Sequence, residues 1–332
     1  MTDLLVIEDL RVEIATRRGA LTAIDGVSFS IGRGEILGVV GESGAGKSLT
    51  GTAVLGLLDP PARLAGGRIT LSGQRIEALG EEAMRPLRGR RIGAVLQDPM
   101  TSLNPLLTVG RQLVQTIRTH LDLSAAEART RAEALLAEVG VPAPRERLDS
   151  YPHELSGGLR QRVVLALAFS CDPDLVIADE PTTALDVSVQ AQVIDVLKRM
   201  GRERGTAVML ITHDMGVIAE AADRIAVLYA GRLVEIGPAR DILDRPSHPY
   251  SRGLMASIPS LRRRRGLDLP QIEGAMPRPG ALPPGCAFAP RCPDRMPLCT
   301  SEIPPLMTAD SSLAACWLVD RHHSARPLRV AS

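Results

Sequence analysis

A glycine-rich octet limits the fold of this chain more than any other segment: Gly41-Glu42-Ser43-Gly44-Ala45-Gly46-Lys47-Ser48. It directly follows the apolar run Ile36–Val40, which we predict to be a buried strand, and it opens a helical stretch. In that context glycines let successive backbone N–H groups turn inward on a phosphate, and the start of the helix adds its positive end. The octet therefore predicts a nucleotide phosphate-binding loop between a strand and a helix.

Two side chains of the octet have distinct chemical roles. Lys47 can reach the β- and γ-phosphates of a nucleoside triphosphate, and the Ser48 hydroxyl can bind Mg²⁺. The residues predicted to bind the nucleotide in this segment are Gly41, Ser43, Gly44, Ala45, Gly46, Lys47, Ser48 and Leu49.

Two adjacent carboxylates end another apolar run, Leu175-Val176-Ile177-Ala178-Asp179-Glu180. We expect Asp179 to hold the Mg²⁺ shell. Glu180 points the other way at the strand end, where it can accept a proton from the attacking water. Acidic residues often end strands without a function, but the coexistence of this pair with a phosphate loop favours the catalytic interpretation.

The organisation of the chain is that of an α/β protein with an extension. Buried parallel strands are predicted at Ile36–Val40, Ile92–Leu96, Leu175–Ala178 and Ala207–Ile211. A small antiparallel β layer is predicted at Leu4–Ile14, Ile24–Ile31 and Arg68–Leu71, and a helical insertion at about 100–165. The length of 332 residues suits two domains, so we place a nucleotide-binding domain at 1–245 and a Cys- and Pro-rich C-terminal extension at 246–332.

A third motif narrows the class: Leu155-Ser156-Gly157-Gly158-Leu159-Arg160-Gln161-Arg162, a Ser-Gly-Gly turn that leads into an apolar helix. A serine N-cap and the free N–H groups of a helix start form an anion site separate from the phosphate loop. The motif resembles the signature of ATP-binding-cassette (ABC) ATPases. This resemblance implies that Ser156, Gly157 and Gly158 face the γ-phosphate of ATP held by the opposite subunit.

Three further elements match the same family in their order along the chain. Gln97 follows the strand Ile92–Leu96, Asp186 follows the two carboxylates, and His213 follows the strand Ala207–Ile211. By this resemblance, Gln97 senses Mg²⁺ and the attacking water and couples to a membrane partner. Asp186 is then expected at the dimer interface, and His213 is expected to contact the γ-phosphate.

One position departs from the family pattern. The family commonly stacks adenine on an aromatic residue ahead of the phosphate loop, but residues 1–28 contain no Phe, Tyr or Trp. We therefore expect the base to contact Leu21 or the aliphatic stems of Arg17 and Arg18.

Three segments resemble the peptide/nickel importer branch of the family: Gln97–Pro105, Ala178–Asp186 and His248-Pro249-Tyr250. In that branch His-Pro-Tyr begins a C-terminal extension. The likeness implies the ATP-binding subunit of a dipeptide or oligopeptide importer, with nickel or another small solute as the other options. On its own, His248-Pro249-Tyr250 predicts only a turn before a short helix at Ser251–Ile258.

The extension contains Cys286, Cys292, Cys299 and Cys316 among prolines. A module this small usually needs a metal or disulfides to stabilise its fold. We expect the chain to lie in the reducing cytosol, which disfavours disulfides. Four thiolates suit an iron–sulfur cluster or zinc. Paired Cys-x₂-Cys knuckles are missing, and some members of the branch hold a [4Fe–4S] cluster at four tail cysteines. We therefore rank the cluster first, zinc second and four unliganded thiols third.

Charge and hydropathy indicate the partners. No apolar stretch reaches the roughly 20 residues that span a bilayer, and the N-terminus shows no secretory signal. We predict an ATPase peripheral to the cytoplasmic face of the inner membrane. It would work with two transmembrane permease subunits, a second ABC ATPase subunit and, indirectly, an extracytoplasmic solute-binding protein.

Nucleic acid is not an expected partner. The 39 Lys and Arg residues are balanced by 38 Asp and Glu, and only three Phe, three Tyr and one Trp are present, too few for base stacking along a strand. The alternative that stays open is a soluble ABC ATPase acting in DNA repair, chromosome maintenance or on ribosomes.

Overall fold

The structure is a computed structural model that describes residues 3–17, 19–96, 102–183, 185–258 and 270–319. The strands are β1 (Asp3–Thr16), β2 (Gly19–Gly32), β3 (Ile36–Val40), β4 (Ala62–Leu71), β5 (Gln74–Arg75), β6 (Ile92–Val95), β7 (Leu175–Asp179), β8 (Ala207–Ile211), β9 (Arg224–Tyr229), β10 (Arg232–Pro238), β11 (Met307–Ala309) and β12 (Ser312–Ala314). The α-helices are α1 (Lys47–Leu55), α2 (Glu81–Met84), α3 (Val109–His120), α4 (Ala125–Glu138), α5 (Pro144–Arg147), α6 (Gly157–Ala168), α7 (Val187–Arg204), α8 (Met215–Ala221), α9 (Ala239–Asp244) and α10 (Pro249–Ala256).

Two sheets organise these elements. The smaller one is antiparallel in the order β2-β1-β4-β5, and the larger one has the order β11-β12-β10-β9-β3-β8-β7-β6. Strands β9, β3, β8, β7 and β6 are parallel neighbours, while β10, β12 and β11 add an antiparallel edge. The predicted α/β fold, with a mostly parallel core sheet and an antiparallel layer, is confirmed.

Strand β3 shows how the sequence builds two cores. Ile36 and Val40 pack into one core, while Leu37 and Val39 pack into the other. Side chains alternate between the faces of a strand, so a run that is apolar at both parities is buried on both sides. At Gly38 a Cβ atom would lie 2.7 Å from Cδ1 of Ile218, so a larger residue would require the Ile218 side chain to shift under α8. The phosphate loop therefore leaves the sheet from a strand that is fixed on both faces.

The helical insertion contains α3, α4 and α5. Ser124 caps α4: its backbone N–H donates to the Glu127 carboxylate, and its Oγ accepts from the Glu127 N–H, as the capping-box pattern predicts. Gly140 follows the helix with a φ of 74°. No helix within the described ranges has the length and apolarity that a membrane crossing requires.

The C-terminal extension is joined to the core sheet. Its strand β12 pairs with β10 in the register Glu235 to Ala314 and Ile236 to Leu313, and β11 then pairs with β12. The sequence pattern predicts none of the strands β9 to β12. Two of them have only three residues, too short for a periodicity to be recognised.

Candidate nucleotide-binding site

The phosphate loop depends on glycines in left-handed conformations. Gly41, Gly44 and Gly46 have φ angles of 150°, 81° and 100°. At Gly41 a Cβ atom would lie 2.2 Å from the carbonyl oxygen of Leu228, so a larger residue cannot be accommodated. Gly46 is the N-cap of α1, and the first N–H groups of that helix have no partner within the helix. The loop and the helix start together form an anion-binding surface.

Lys47 lies inside the curve of this loop. Its Nζ donates to the carbonyl oxygens of Gly41 at 2.8 Å and Glu42 at 3.0 Å, and the residue is only 6% exposed. Burial lowers the pKa of Lys47, although the carboxylates of Glu180, Asp179 and Glu42 act in the opposite direction. A buried ammonium that donates to two neutral carbonyls suits an anionic ligand such as a phosphate.

Ser48 and Asp179 bring two oxygen ligands together at the start of α1. Ser48 Oγ donates to Asp179 Oδ1 at 3.0 Å. Burial raises the pKa of Asp179, and the hydrogen bond from Ser48 offsets part of this effect. Hydroxyl and carboxylate oxygens next to phosphates are ligands that Mg²⁺ prefers, so the donor set fits this ion.

Glu180 is held in a left-handed conformation with a φ of 49°, and its N–H donates to the Ile211 carbonyl at 2.7 Å. Glu180 Oε1 lies 2.8 Å from His213 Nδ1, and Oε2 accepts from Thr183 Oγ1 at 2.9 Å. Burial alone would raise the pKa of Glu180, but the hydrogen bonds from His213 and Thr183 and the charge of Lys47 lower it overall. The side chain is therefore an ionised carboxylate beside the phosphate loop.

A cavity of about 750 Å³ lies beside the phosphate loop. Of the site residues that the sequence predicts, those that line this cavity are Ser43, Gly44, Gly46, Lys47, Ser48, Leu49, Glu180 and His213. Gly41 and Ala45 are buried behind the loop surface. Ile14, Ala23 and Pro279 also line the cavity, although the sequence reasoning names Leu21, Arg17 and Arg18 for the base. Arg18 lies outside the described residues, and Leu21 instead packs against Gly280.

The signature residues occupy a different surface. Ser156 caps α6, with Oγ accepting from the Leu159 N–H at 3.4 Å, and Asp186 caps α7. At Gly158 a Cβ atom would lie 2.5 Å from Cγ1 of Val189, so glycine lets the two helix starts pack together. Among described residues, neither Ser156, Gly157, Gly158 nor Asp186 lines the phosphate cavity. Gln97 lies in the segment 97–101, outside the described residues.

The His-Pro-Tyr motif connects the extension to the phosphate loop. The backbone N–H of Glu42 donates to Tyr250 Oη at 2.8 Å, and the Tyr250 ring packs edge-on against Tyr229 with 4.6 Å between centroids. His248 is buried and its Nδ1 accepts from the Tyr250 N–H at 3.0 Å, which caps α10. Burial lowers the pKa of His248 to about 3, so the ring is neutral. The sequence alone predicts no link between these distant segments.

Arg291 makes a second link, again to Glu42. Its guanidinium donates to both carboxylate oxygens of Glu42 at 2.8 and 3.0 Å, and its side chain is only 6% exposed. No residue pattern points to Arg291, because its partner lies 249 positions earlier in the chain.

The predicted iron–sulfur cluster is wrong. Cys286, Cys292, Cys299 and Cys316 border one gap, but its volume of about 10 Å³ has room for roughly one water molecule and not for a cluster. No group of three or more His, Cys, Asp or Glu side chains in the described part of the chain is arranged to hold a metal ion. Burial raises the pKa of the thiols of Cys286, Cys292 and Cys316, which disfavours the thiolates that iron or zinc would require. All four of these cysteines are free thiols.

Comparisons with known proteins agree with this geometry. Residues 24–183 match the family described as ABC transporter, and residues 234–299 match the oligopeptide/dipeptide transporter C-terminal region. The chain is 46% identical to the dipeptide transport ATP-binding protein DppD of Bacillus subtilis, over 97% of this chain and 96% of that protein. It is also 46% identical to the oligopeptide transport ATP-binding protein OppD of Salmonella typhimurium, over 95% of this chain and 93% of that protein.

Solved structures give the same fold. The dimeric ATP-binding cassette MJ0796, bound to ADP and Pi after hydrolysis, superposes with a TM-score of 0.64 at 26% identity, covering 71% of this chain and 99% of that one. The cassette cbiO1 of Clostridium perfringens, part of the ABC transporter complex cbiONQ, gives a TM-score of 0.63 at 26% identity, covering 74% of this chain and 92% of that one. The chain therefore belongs to the ABC transporter ATPases, in the branch that carries the oligopeptide/dipeptide transporter C-terminal region.

Proposed function

We propose that this chain is the ATP-hydrolysing subunit of an importer that moves dipeptides or oligopeptides through a pair of membrane permeases. The observation that carries the hydrolytic part is one cavity lined by Lys47, Ser48 and the Glu180–His213 pair. The solute class is supported by the C-terminal region match and by relatives that are described as peptide transport ATP-binding proteins.

The catalytic step is the attack of water on the γ-phosphorus of ATP, which breaks the bond to the β–γ bridging oxygen and releases ADP and phosphate. Lys47 and the loop N–H groups bind the β- and γ-phosphates, and Ser48 with Asp179 would hold Mg²⁺, which neutralises phosphate charge when bound. Glu180 Oε1 or Oε2 accepts the proton of the attacking water, and His213 orients Glu180 through the 2.8 Å contact. The lowered pKa of Glu180 keeps it ionised and able to accept that proton.

A second ATPase subunit completes each site. Because the signature residues lie apart from the phosphate cavity of their own chain, Ser156 and the start of α6 are available to the γ-phosphate of ATP in a partner. Val187, next to Asp186, is 83% exposed, which fits a subunit interface at this surface. The dimeric cassette among the solved structures supports the same arrangement.

The permease contact is expected near Gln97. Leu96 and Leu106, on either side of the Gln97–Pro105 segment, are 49% and 82% exposed. These two leucines flank the segment that resembles the importer branch, and a contact there would cover their apolar surface. We propose that this surface meets the permeases at the cytoplasmic face of the membrane, where the ATPase stays peripheral.

The test is purification of the tagged chain from detergent-solubilised membranes of its own host, with mass spectrometry of the proteins that accompany it. Recovery of two multi-span permeases supports the importer and shows whether the ATPase pair is homomeric or heteromeric. Recovery of only soluble or nucleic-acid-bound proteins contradicts it. The alternative hypothesis from the sequence is a soluble ABC ATPase acting in DNA repair, chromosome maintenance or on ribosomes. It is not favoured, because the relatives are described as peptide transport proteins.

A further inference from the structure

The cavity beside the phosphate loop has an apolar wall as well as a charged floor. Ile14 comes from β1, Ala23 from β2 and Pro279 from the C-terminal extension, and all three line the same cavity as Lys47. No described residue of this lining is Phe, Tyr or Trp. If Lys47 and Ser48 bind the phosphates, the volume along this wall is what is left for the sugar and the base.

Strand β2 passes directly beside the loop. A Cβ atom at Gly46 would lie 3.5 Å from Cγ1 of Ile24 and 3.7 Å from the carbonyl oxygen of Ala23. Ala23 therefore lies next to the loop, and Ile14 of the neighbouring strand β1 lines the same cavity.

The C-terminal extension contributes to the same cavity. Met276 Cε lies 3.1 Å from the position of a Cβ atom on Gly44, and Leu21 Cδ2 lies 2.6 Å from the corresponding position on Gly280. The segment between Met276 and Gly280 is thus in contact with the phosphate loop at one end and with β2 at the other. Pro279 lies within it, exposed and on the cavity lining.

Arg291 fixes the chain that leads into this segment. Its Nε donates to the Glu273 carbonyl at 2.8 Å and its Nη2 donates to the Ile272 carbonyl at 3.1 Å. The same guanidinium binds the Glu42 carboxylate of the phosphate loop. The phosphate loop and the chain that leads into the segment therefore share one anchor.

We propose that Pro279 of the C-terminal extension binds the base of ATP, packing its ring on the purine face in the cavity that Ile14 and Ala23 also line. The proposal rests on ATP as the ligand of the phosphate loop, as in the proposed function. An apolar ring on a purine face excludes water without hydrogen-bonding to the base edge. The wall would therefore accept adenine and guanine with similar affinity.

The test compares Pro279→Gly with the parent chain by calorimetric titration with ATP, GTP and inorganic tripolyphosphate, each with Mg²⁺. Loss of the ring contact should weaken ATP and GTP binding about three- to tenfold. Tripolyphosphate, which has no base, should bind both proteins equally. Pro284→Gly is the matched control, because Pro284 is an exposed proline of the same extension that is not on the described cavity lining.

A second variant reports contact directly. In Pro279→Trp the indole should stack on the purine, so ATP should quench its fluorescence while tripolyphosphate leaves it unchanged, with a Pro284→Trp chain as the reference.

Unchanged ATP affinity in Pro279→Gly overturns the inference, and so does an equal loss for ATP and tripolyphosphate, which would mean that Pro279 acts through the loop. ATP quenching that is no greater in Pro279→Trp than in Pro284→Trp overturns it as well. If the parent chain binds neither ATP nor tripolyphosphate, the proposed function fails instead.

Discussion

At the scale of single residues, Glu180 is the proposed proton acceptor of ATP hydrolysis, and its replacement tests that role. Its carboxylate is ionised and held by His213 and Thr183, at the edge of the cavity that Lys47 also lines. Replacing it with glutamine keeps the shape and the hydrogen-bonding capacity but removes the proton acceptor. Glu180→Gln should therefore retain ATP binding and lose about 10²- to 10⁴-fold in turnover, measured as phosphate release.

The control for this change is Glu82→Gln, an exposed glutamate in the short helix α2. It should hydrolyse ATP at the rate of the parent chain. Turnover in Glu180→Gln within a factor of two or three of the parent would exclude Glu180 as the proton acceptor.

His248 makes stability depend on pH. Its pKa is lowered to about 3 by burial, whereas a histidine in the unfolded chain titrates near pH 6.5. Between these values the unfolded chain binds one more proton than the folded chain, so stability falls as the pH falls, by up to about 1.4 kcal/mol per pH unit. Urea unfolding at pH 7 and pH 5 measures this loss.

In His248→Asn the side chain can still cap α10 but does not titrate, so the variant should lose less stability between pH 7 and pH 5. His153→Asn, which replaces an exposed histidine, should retain the slope of the parent chain. An unchanged slope in His248→Asn would assign the pH dependence to other groups.

At the scale of elements, the sequence predicts what local pattern determines. Strand β3 is found at its predicted bounds, Ile36–Val40, because five apolar residues between turn signals can only be a buried strand before a glycine loop. The N-cap at Ser124 is likewise encoded within four residues. Strands β11 and β12 are not predictable in this way, since they exist only because the edge of β10 is available to pair with them.

The residues of the candidate site differ in the same way: some are predictable from local motifs and others are not. Lys47, Ser48, Asp179 and Glu180 are found from motifs, because their chemistry requires fixed spacing along the chain. Arg291 and Pro279 reach the site through tertiary packing, and no short-range pattern marks them. The metal prediction failed for a related reason: spacing shows that four thiols are near one another, but not how little space lies between them.

The Arg291–Glu42 pair allows a prediction about how the extension is held. Arg291→Ala leaves the Glu42 carboxylate, 28% exposed, without its guanidinium and frees two backbone carbonyls. The free energy of unfolding should fall by about 3 kcal/mol. Adding Glu42→Gln should recover part of this loss, because the unpaired charge is then gone.

A matched control is Arg252→Ala, which breaks the ion pair with Asp294 where both side chains are nearly half exposed. This change should cost less than about 1 kcal/mol. Equal losses in the Arg291 and Arg252 variants would show that burial of the Arg291 pair contributes nothing to the attachment of the extension.

At the scale of the whole molecule, the residues proposed to bind ATP lie on two separate surfaces of the chain. The phosphate loop lines its cavity, while Ser156 begins α6 elsewhere. If both surfaces bind ATP, two ATPase chains combine to enclose it. Where the two chains are identical, addition of ATP in the Glu180→Gln background, in which ATP hydrolysis is slowed, should double the mass measured by light scattering.

Charge at the signature helix tests whether that dimer forms through Ser156. Ser156→Asp keeps a good N-cap for α6 but adds a negative charge where the γ-phosphate is expected, so ATP should still bind while the doubling in mass disappears. Ser124→Asp makes the same change at the N-cap of α4 and should leave dimerisation intact. If both variants dimerise normally, the chains meet through another surface. If both fail, the effect comes from added charge in general and not from a phosphate at Ser156.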